Sequence, residues 1–272
     1  MDVDLKSQAK KIRLLALMSI YQAKSGHPGS SLSSADILTA LYFIPILKID
    51  KANAFSQNRD YFILSNGHAC PAWYAVLSQL GFIQESELVN LRKFGHFLQG
   101  HPDKSKFPLV ESTTGSLGQG ITVGLGLAMG LKNLKKDNRV YVLESDGEQD
   151  EGSVWEVNRI AAHYQLDNLK VIIDRNKMQI DGPTEKQSAL EPLDEKYKSF
   201  GWFVKKINGH DFSQLKSGLN EIKQVKGQPA VLIAETIRGK GVSFMEQSVL
   251  YHAKTLTEEE YNKAKNEIEK ND

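Results

Sequence analysis

The chain has 272 residues, of which 40% are hydrophobic and 25% charged, so it is long enough for one large α/β domain with its own core. Its 34 basic and 33 acidic residues leave a net charge of +1, which predicts neither a nucleic-acid partner nor a membrane partner. The single cysteine, Cys70, excludes an internal disulfide and favours a cytoplasmic protein.

The first predicted element is an amphipathic helix over residues 4–24, with Leu5, Ile12, Leu15 and Met18 at helical spacing. The sequence before and within its first turns, MDVDLKSQAKK, has no apolar core, so we expect no signal peptide. No apolar run in the chain approaches the length of a membrane span.

A histidine lies in the rigid loop that follows, Ser25-Gly26-His27-Pro28-Gly29. Ser34 then predicts the cap of a second helix, Ala35 to Phe43. Taken alone, His27 is best interpreted as a loop histidine with a backbone partner.

A second histidine follows the first predicted strand, residues 60–64. The loop Ser65-Asn66-Gly67-His68-Ala69 leads into a helix near Pro71, a residue that suits a first helical turn. His68 therefore lies beside a helix amino terminus, where a phosphate can bind, although a helix-capping role is the simpler interpretation.

Two further motifs precede the centre of the chain, the loop Gly100-His101-Pro102 and the glycine-rich turn of residues 113–120, TTGSLGQG. Residues 120–135 contain Gly120 and three further glycines, Gly124, Gly126 and Gly130, but their spacing and the lack of a preceding strand exclude a dinucleotide-binding loop. We interpret this segment as a helix whose glycines allow close packing at a subunit interface.

The centre of the chain predicts a βαβ unit. An apolar strand, Arg139–Glu144, is followed by a helix from Glu151 to Tyr164 and a second strand, Leu169–Asp174. The strands of such a unit are parallel, so the loops after them open on the same edge of the sheet. Asp146 and Asn176 should therefore lie side by side.

Asp146 and Asn176 together predict a magnesium site, because carboxylate and amide oxygens are hard ligands and Mg²⁺ is usually shared with phosphates. Gly147 would let a phosphate approach the backbone, and the following helix points its positive end at the site. A plain βαβ unit with solvated acidic loops is the alternative. An EF-hand is excluded because Glu151 and Val157 occupy its sixth and twelfth positions.

The rest of the chain predicts strands at Phe203–Ile207 and Ala230–Glu235 with a helix near Phe212–Lys223 between them, a mobile polar loop at Gly182–Leu193, and a helical tail at Thr257–Lys270. The fold class is therefore α/β, a doubly wound parallel sheet with helices on both faces. We expect structural roles for His210 and surface or packing roles for His96 and His163.

The motifs together resemble a known family. Asp146-Gly147, Asn176 and Ile180-Asp181-Gly182 are similar to the thiamine-diphosphate fingerprint, and SGHPG, SNGH, GHP and TTGSLGQG resemble the amino-terminal half of transketolase. The family usually has Gly at Ser145 and Pro at Ser116, and neither difference removes a ligand. The resemblance covers nearly the whole chain. It implies one diphosphate-binding domain over residues 1–272, with the pyrimidine-binding domain absent.

The resemblance implies roles for particular residues. The metal would be Mg²⁺, with Ca²⁺ or Mn²⁺ as substitutes, held by Asp146, Asn176 and the main-chain carbonyl of Met178. His27 would face the sugar, His101 would lie near the reacting thiazolium carbon, and His252 would reach both the substrate and the cofactor diphosphate. Glu151 is either a helix-start acid or part of a carboxylate network between active sites. The residues expected to bind thiamine diphosphate are His68, Gly115, Ser116, Leu117, Asp146, Gly147, Asn176, Ile180 and His252; those expected to act in catalysis are His27, His68, His101, His252 and Glu151.

The implied reaction is a transketolase reaction of the pentose phosphate pathway, in which a two-carbon ketol unit passes from a ketose phosphate to an aldose phosphate. A second subunit would supply the pyrimidine-binding and carboxy-terminal domains, with two copies of each chain. Three alternatives stay open at this point: a split transketolase for a branched or sulfonated sugar, a related thiamine-diphosphate synthase or dehydrogenase subunit, and a degenerate regulatory subunit.

Overall fold

The computed structural model describes residues 3–50 and 52–270 and contains one parallel sheet of five strands. The strand order is β1-β2-β3-β5-β4, and every neighbouring pair is parallel. The strands are β1 (Tyr61–Leu64), β2 (Val140–Ser145), β3 (Leu169–Arg175), β4 (Phe203–Asn208) and β5 (Ala230–Glu235).

Nine α-helices surround this sheet within the described residues. They are α1 (Leu5–Ala23), α2 (Pro28–Phe43), α3 (Cys70–Gln79), α4 (Gln119–Asn133), α5 (Gly152–His163), α6 (Thr184–Gln187), α7 (Leu193–Ser199), α8 (Phe212–Gln224) and α9 (Glu258–Lys270).

The two faces of the sheet carry separate hydrophobic cores. Phe62 and Leu64 of β1 pack with α1, α2, α3 and α8, whereas Ile63 packs with α4, α5 and α7 on the opposite face. Alternate residues of β2 divide in the same way, since side chains along a strand point to opposite faces. A sheet buried on both faces explains why its strands are continuous apolar runs. The predicted fold class is confirmed.

The start of α2 differs from the prediction. The helix begins at Pro28, not after a cap at Ser34. Proline is favoured at the first helical position, where its missing N–H leaves no hydrogen bond unmade. Ser33 and Ser34 lie inside the helix, and each hydroxyl donates a 2.6 Å hydrogen bond to the buried carboxylate of Asp174.

The segment predicted as a mobile polar loop, Gly182–Leu193, contains the short helix α6. Glu185 and Glu191 in this segment form ion pairs with Arg175 at 2.8 and 3.0 Å. These contacts tie the segment to the end of β3.

In the described part of the chain, no helix combines the length and the apolar character needed to cross a bilayer.

Candidate active site

The loops that follow β1, β2, β3 and β5 meet at the carboxyl edge of the sheet, as expected for parallel strands. Ser145 of β2 is in register with Asp174 of β3, so the chain emerges at neighbouring points beyond these residues. Asp146 and Asn176 lie there, far apart in sequence and adjacent at the edge.

Asp146 is completely buried and accepts several hydrogen bonds. Its Oδ2 accepts from Arg175 Nη1 at 3.1 Å and from the backbone N–H of Lys177, and its Oδ1 accepts from the N–H of Gly147 at 3.0 Å. Burial raises the pKa of Asp146 to about 7, although the charge of Arg175 acts in the opposite direction. The Lys177 amide places the Asp146 carboxylate against the loop that carries Asn176.

Asn176 and Met178 are buried in the loop after β3. The Oδ1 atom of Asn176 accepts a 3.1 Å hydrogen bond from the N–H of Met178. Ile180 is 61% exposed at the end of this loop. Among the described residues, no three His, Cys, Asp or Glu side chains form a metal-binding group, so a cation here would also need amide and carbonyl oxygens.

Arg175 is a buried cation at this edge and was not singled out from the sequence. Its side chain is 1% exposed and pairs with Asp146, Glu185 and Glu191. The last two acids lie in the 182–193 segment, and no local pattern in the sequence connects them to Arg175. The guanidinium therefore keeps two carboxylates close to it in addition to Asp146.

Four histidines from separate loops form a cluster at the same edge. The ring centroid of His27 lies 5.3 Å from that of His68, 5.8 Å from that of His101 and 5.2 Å from that of His252. The rings of His68 and His252 are 5.6 Å apart. The structure therefore brings together the three motif histidines, His27, His68 and His101, and also His252, which only the family resemblance indicated.

Burial keeps three of the cluster histidines neutral at physiological pH. Burial, with smaller contributions from Arg92, His101 and Arg238, lowers the pKa of His27 to about 4. Burial and the neighbouring charges lower the pKa of His68 to about 3, and burial also lowers the pKa of His101. Neutral imidazoles can both donate and accept hydrogen bonds.

Several buried polar atoms around the cluster lack a partner among residues 3–50 and 52–270. They are Nδ1 of His27, Nε of Arg238 and both side-chain atoms of the Asn66 amide. Buried polar atoms are normally hydrogen-bonded, so unpaired groups in one place indicate a missing ligand. Asn66 belongs to the SNGH motif but was not assigned a role from the sequence.

Arg238 connects the histidine cluster with the loop after β3. It is 1% exposed, its Nη2 is hydrogen-bonded to Nδ1 of His252, and its Nη1 donates to the carbonyl of Gln179 at 2.8 Å. The position of Arg238 in the segment that follows β5 was visible in the sequence. Its contact with His252 was not.

The glycine-rich turn before α4 lies against the cluster. Gly115 has a φ of +144°, and a Cβ there would lie 3.1 Å from the ring of His101. Ser116 is exposed and Leu117 is half-buried, so both are accessible beside this ring. The close approach of Gly115 to His101 explains why the turn needs glycine.

Glu148, not Glu151, is the buried acid next to this turn. It accepts hydrogen bonds from the hydroxyl of Ser65 and from the backbone N–H of Gly118, the latter at 2.8 Å. Burial raises the pKa of Glu148 to about 7. Glu151 is exposed and immediately precedes α5, where its side chain makes no capping hydrogen bond.

Outside the cluster, His210 and His96 form hydrogen bonds within this chain. His210 contacts Asp36 through Nδ1 and the Ile237 amide through Nε2, and His96 contacts Glu87 through Nε2. His163 is exposed on α5.

Parallel α/β domains bind their ligands beyond the carboxyl ends of their strands, and this molecule fits that class. Its neutral histidines, buried arginines and unpaired polar atoms suit an anionic, phosphorylated cofactor.

Comparison with known proteins identifies the family. Residues 5–271 match the family model described as transketolase, thiamine diphosphate binding domain. The chain is 40% identical to the 6-deoxy-6-sulfo-D-fructose transketolase subunit SqwG of Clostridium sp. (strain MSTE9), over 98% of this chain and 97% of that protein. It is also 40% identical to an apulose-4-phosphate transketolase subunit of Phocaeicola vulgatus, over 98% of this chain and 93% of that protein.

The fold agrees with this comparison. The structure matches transketolase from Leishmania mexicana with a TM-score of 0.93 and 32% identity, over 99% of this chain and 42% of that chain. The chain belongs to the transketolase family, as a subunit that carries the thiamine-diphosphate-binding domain.

Proposed function

We propose that this chain is the diphosphate-binding subunit of a cytoplasmic two-chain transketolase that transfers a two-carbon ketol unit from a ketose phosphate to an aldose phosphate. The observation that supports it most is the meeting of four loop histidines beside Asp146 and Asn176 at one edge of the sheet. A degenerate regulatory subunit would have no need of these groups together.

The donor set fits a hard divalent cation. Asp146, Asn176 and the main-chain carbonyl of Met178 would supply a carboxylate, an amide oxygen and a carbonyl oxygen, which are ligand types that Mg²⁺ binds in proteins. The charge of Arg175 would not prevent metal binding by Asp146. Glu185 and Glu191 would remain ion-paired with Arg175 if Asp146 bound a cation instead. Ca²⁺ or Mn²⁺ accepts the same oxygens.

The cofactor also fits the residues around the metal loop. A Cβ at Gly147 would meet only Gln179 Cγ, at 3.5 Å, and Gln179 Cδ, at 3.9 Å, so this chain's own packing leaves space there for a phosphate. His68, His252 and Arg238 supply donors for the diphosphate. Gly115, Ser116, Leu117 and Ile180 would hold the rest of the cofactor through backbone and apolar contacts. Thiamine diphosphate supplies the electron sink for breaking and forming the carbon–carbon bond.

The cluster histidines would transfer protons and form hydrogen bonds with the sugar. A neutral ring can donate through one nitrogen and accept through the other, which suits the hydroxyl and carbonyl oxygens of a sugar. We assign His27 to the sugar and His101 to the reacting end of the cofactor, since His101 lies beside the turn of residues 115–117 that would hold the cofactor. His252 contacts Arg238, and we assign it to both the substrate and the cofactor diphosphate. Glu151, exposed beside α5, is assigned to the carboxylate network between active sites.

A partner subunit completes the site. The two relatives at 40% identity are named as transketolase subunits. Thiamine diphosphate needs a carboxylate against its pyrimidine ring, and we assign this group to a pyrimidine-binding domain on the partner, in an assembly with two copies of each chain.

The direct test is transketolase turnover by the purified chain with thiamine diphosphate and Mg²⁺, measured with and without the partner. We expect activity only when both chains are present. Robust turnover by this chain alone would overturn the two-chain proposal and require a catalytic carboxylate within these 272 residues.

A second candidate concerns the sugar. The relatives named above act, by their names, on 6-deoxy-6-sulfo-D-fructose and apulose-4-phosphate, so a sulfonated or branched sugar is a specific alternative to a common ketose phosphate. Comparing kcat/KM for these donors and for an unbranched ketose phosphate on the reconstituted complex separates the two. A preference above roughly 100-fold would identify the class, since a few kcal/mol of discrimination is typical for a dedicated site.

A further inference from the structure

The loop that carries Arg238 is fixed at its base by a series of buried side chains that begins on α1. Arg13 donates to both carboxylate oxygens of Asp36 on α2, with distances of 2.9 and 2.6 Å. Oδ2 of Asp36 lies 2.6 Å from Nδ1 of His210, in the loop after β4. The other ring nitrogen of His210, Nε2, lies 2.8 Å from the backbone nitrogen of Ile237.

This geometry defines the tautomer of His210. A backbone N–H can only donate, so Nε2 accepts from Ile237 and the ring proton is on Nδ1, which donates it to Asp36. Burial alone would raise the pKa of Asp36, but the charge of Arg13 and the hydrogen bond from His210 lower it, so the acceptor is ionised. Both nitrogens of the ring are thereby fixed.

The Ile237 amide lies next to the residue that reaches the active site. Arg238 contacts His252 and the carbonyl of Gln179, and its side chain is 1% exposed. On its other side the loop is held by the N–H of Gly239, which donates to the carbonyl of Gly29 at 3.0 Å. Among the described residues, His210 supplies the only side chain that accepts a hydrogen bond from a backbone N–H of residues 237–239.

We propose that His210 is a positioning residue of the transketolase site, held by Asp36 as the Nδ1–H tautomer so that Nε2 fixes the Ile237 amide and directs Arg238 to the cofactor-binding edge. His210 touches neither substrate nor cofactor in this arrangement. The proposal rests on the proposed function, because Arg238 matters to turnover only if the edge binds the cofactor.

Two substitutions of His210 separate its two hydrogen bonds. In His210→Gln, the amide oxygen replaces Nε2 and can still accept from Ile237, while the bond to Asp36 is lost. In His210→Asn, the shorter amide replaces Nδ1 and can still donate to Asp36, while the acceptor for Ile237 is lost. Each variant loses one partly buried hydrogen bond, so thermal unfolding should report similar losses of stability in both.

Thiamine diphosphate affinity should respond differently in the two variants. We would measure it by calorimetry on the reconstituted two-chain complex with Mg²⁺, together with kcat and KM. We expect His210→Asn to weaken cofactor binding by about tenfold, and His210→Gln to stay within about threefold of wild type, since one hydrogen bond is at stake. Equal losses in the two variants, or losses that follow melting temperature alone, would assign His210 to packing and overturn the proposal.

A measurement on the free chain distinguishes this inference from the proposed function. Deuterium exchange of the Ile237–Gly239 amides should be faster in His210→Asn and unchanged in His210→Gln. Imidazole nitrogen chemical shifts of the wild-type protein should report a neutral Nδ1–H ring at His210, and a protonated ring or the Nε2–H tautomer would contradict the proposal even if no variant folds. Failure of the wild-type complex to turn over sugars would instead refute the proposed function.

Discussion

The histidine cluster at the carboxyl edge of the sheet differs from the two histidines that the chain satisfies by itself. His210 and His96 each use both ring nitrogens within this chain, His210 with Asp36 and Ile237, and His96 with Glu87 and the Leu98 amide. In the cluster, Nδ1 of His27 is buried with no partner in the described residues. A histidine whose nitrogens are already bonded supports the fold, and one with an unpaired buried nitrogen indicates a ligand.

The largest expected effect is a loss of cofactor affinity when the proposed metal site is removed. Asp146→Ala removes the only anionic side chain among the proposed metal ligands, so we expect thiamine diphosphate affinity in the presence of Mg²⁺ to fall by more than roughly 100-fold, because even outer-shell partners of a metal contribute about 10- to 100-fold. Calorimetry on the reconstituted complex measures this. Asp194→Ala, which removes an acid of α7 paired with Lys198, is the matched control. Unchanged affinity in Asp146→Ala would show that the metal site is misplaced.

The pH dependence of stability tests whether burial holds His27 of the cluster neutral. The folded pKa of His27 is about 4, below the ordinary value of 6.5, so between these values the unfolded state binds the proton and the folded state does not. Stability is therefore lost as pH falls from 6.5 towards 4, by on the order of 2–3 kcal/mol from this group.

His27→Gln removes this contribution, and its free energy of unfolding should depend less on pH than that of wild type in the same window. Denaturant titrations of the free chain at several pH values measure both slopes. Equal slopes for the two proteins would mean that His27 is not held neutral by the fold.

Removing the sugar-facing histidines should affect turnover more than cofactor binding. His27→Ala and His252→Ala should each lose about 1–3 kcal/mol of transition-state stabilisation. This loss should appear in kcat/KM for the sugar. His163→Ala, an exposed position on α5, serves as the control and should match wild type. Full activity in both cluster variants would assign these rings to packing.

The last comparison is between two glycines, and it includes the smallest change in stability that we expect. A Cβ at Gly118 would lie 2.3 Å from Ser153 Oγ, and its φ of +76° disfavours a side chain, so Gly118→Ala should destabilise the fold by about 1–3 kcal/mol. A Cβ at Gly147 has room, so Gly147→Ala should change stability by less than about 0.5 kcal/mol.

If a phosphate approaches the backbone at Gly147, thiamine diphosphate affinity of Gly147→Ala should nevertheless decrease. Thermal unfolding and calorimetry on the same preparations measure both quantities. Wild-type affinity in this variant would place the phosphate elsewhere.

The sheet could be predicted from the sequence because its strands are short, continuous apolar runs. In β3, Leu169 and Val171–Ile173 are apolar and fully buried, and each predicted strand end lies within one residue of the observed end. The start of α2 could not be predicted because Pro28 and Ser34 both signal a helix start. The choice depends on Asp174, which accepts from Ser33 and Ser34 across a long sequence separation.

The site was predictable where its residues lie in loop motifs and not where they act through distant contacts. His27, His68 and His101 each belong to a glycine- or proline-containing loop, and the fold brings these loops together. His252 has no such local signal and was indicated only by the family resemblance. Arg175 and Arg238 were missed because their partners, such as Glu191 and His252, lie in other segments. Sequence spacing carries no information about such pairings.

Histidine NMR spectra of the reconstituted complex, recorded while thiamine diphosphate and Mg²⁺ are added, test the central claim most directly. We predict that the imidazole signals of His27, His68, His101 and His252 shift with a common saturation point, while those of His96 and His163 stay in place. Unchanged cluster signals at saturating cofactor, or shifts confined to the histidines outside the cluster, would contradict the assignment of this edge as the cofactor and sugar site.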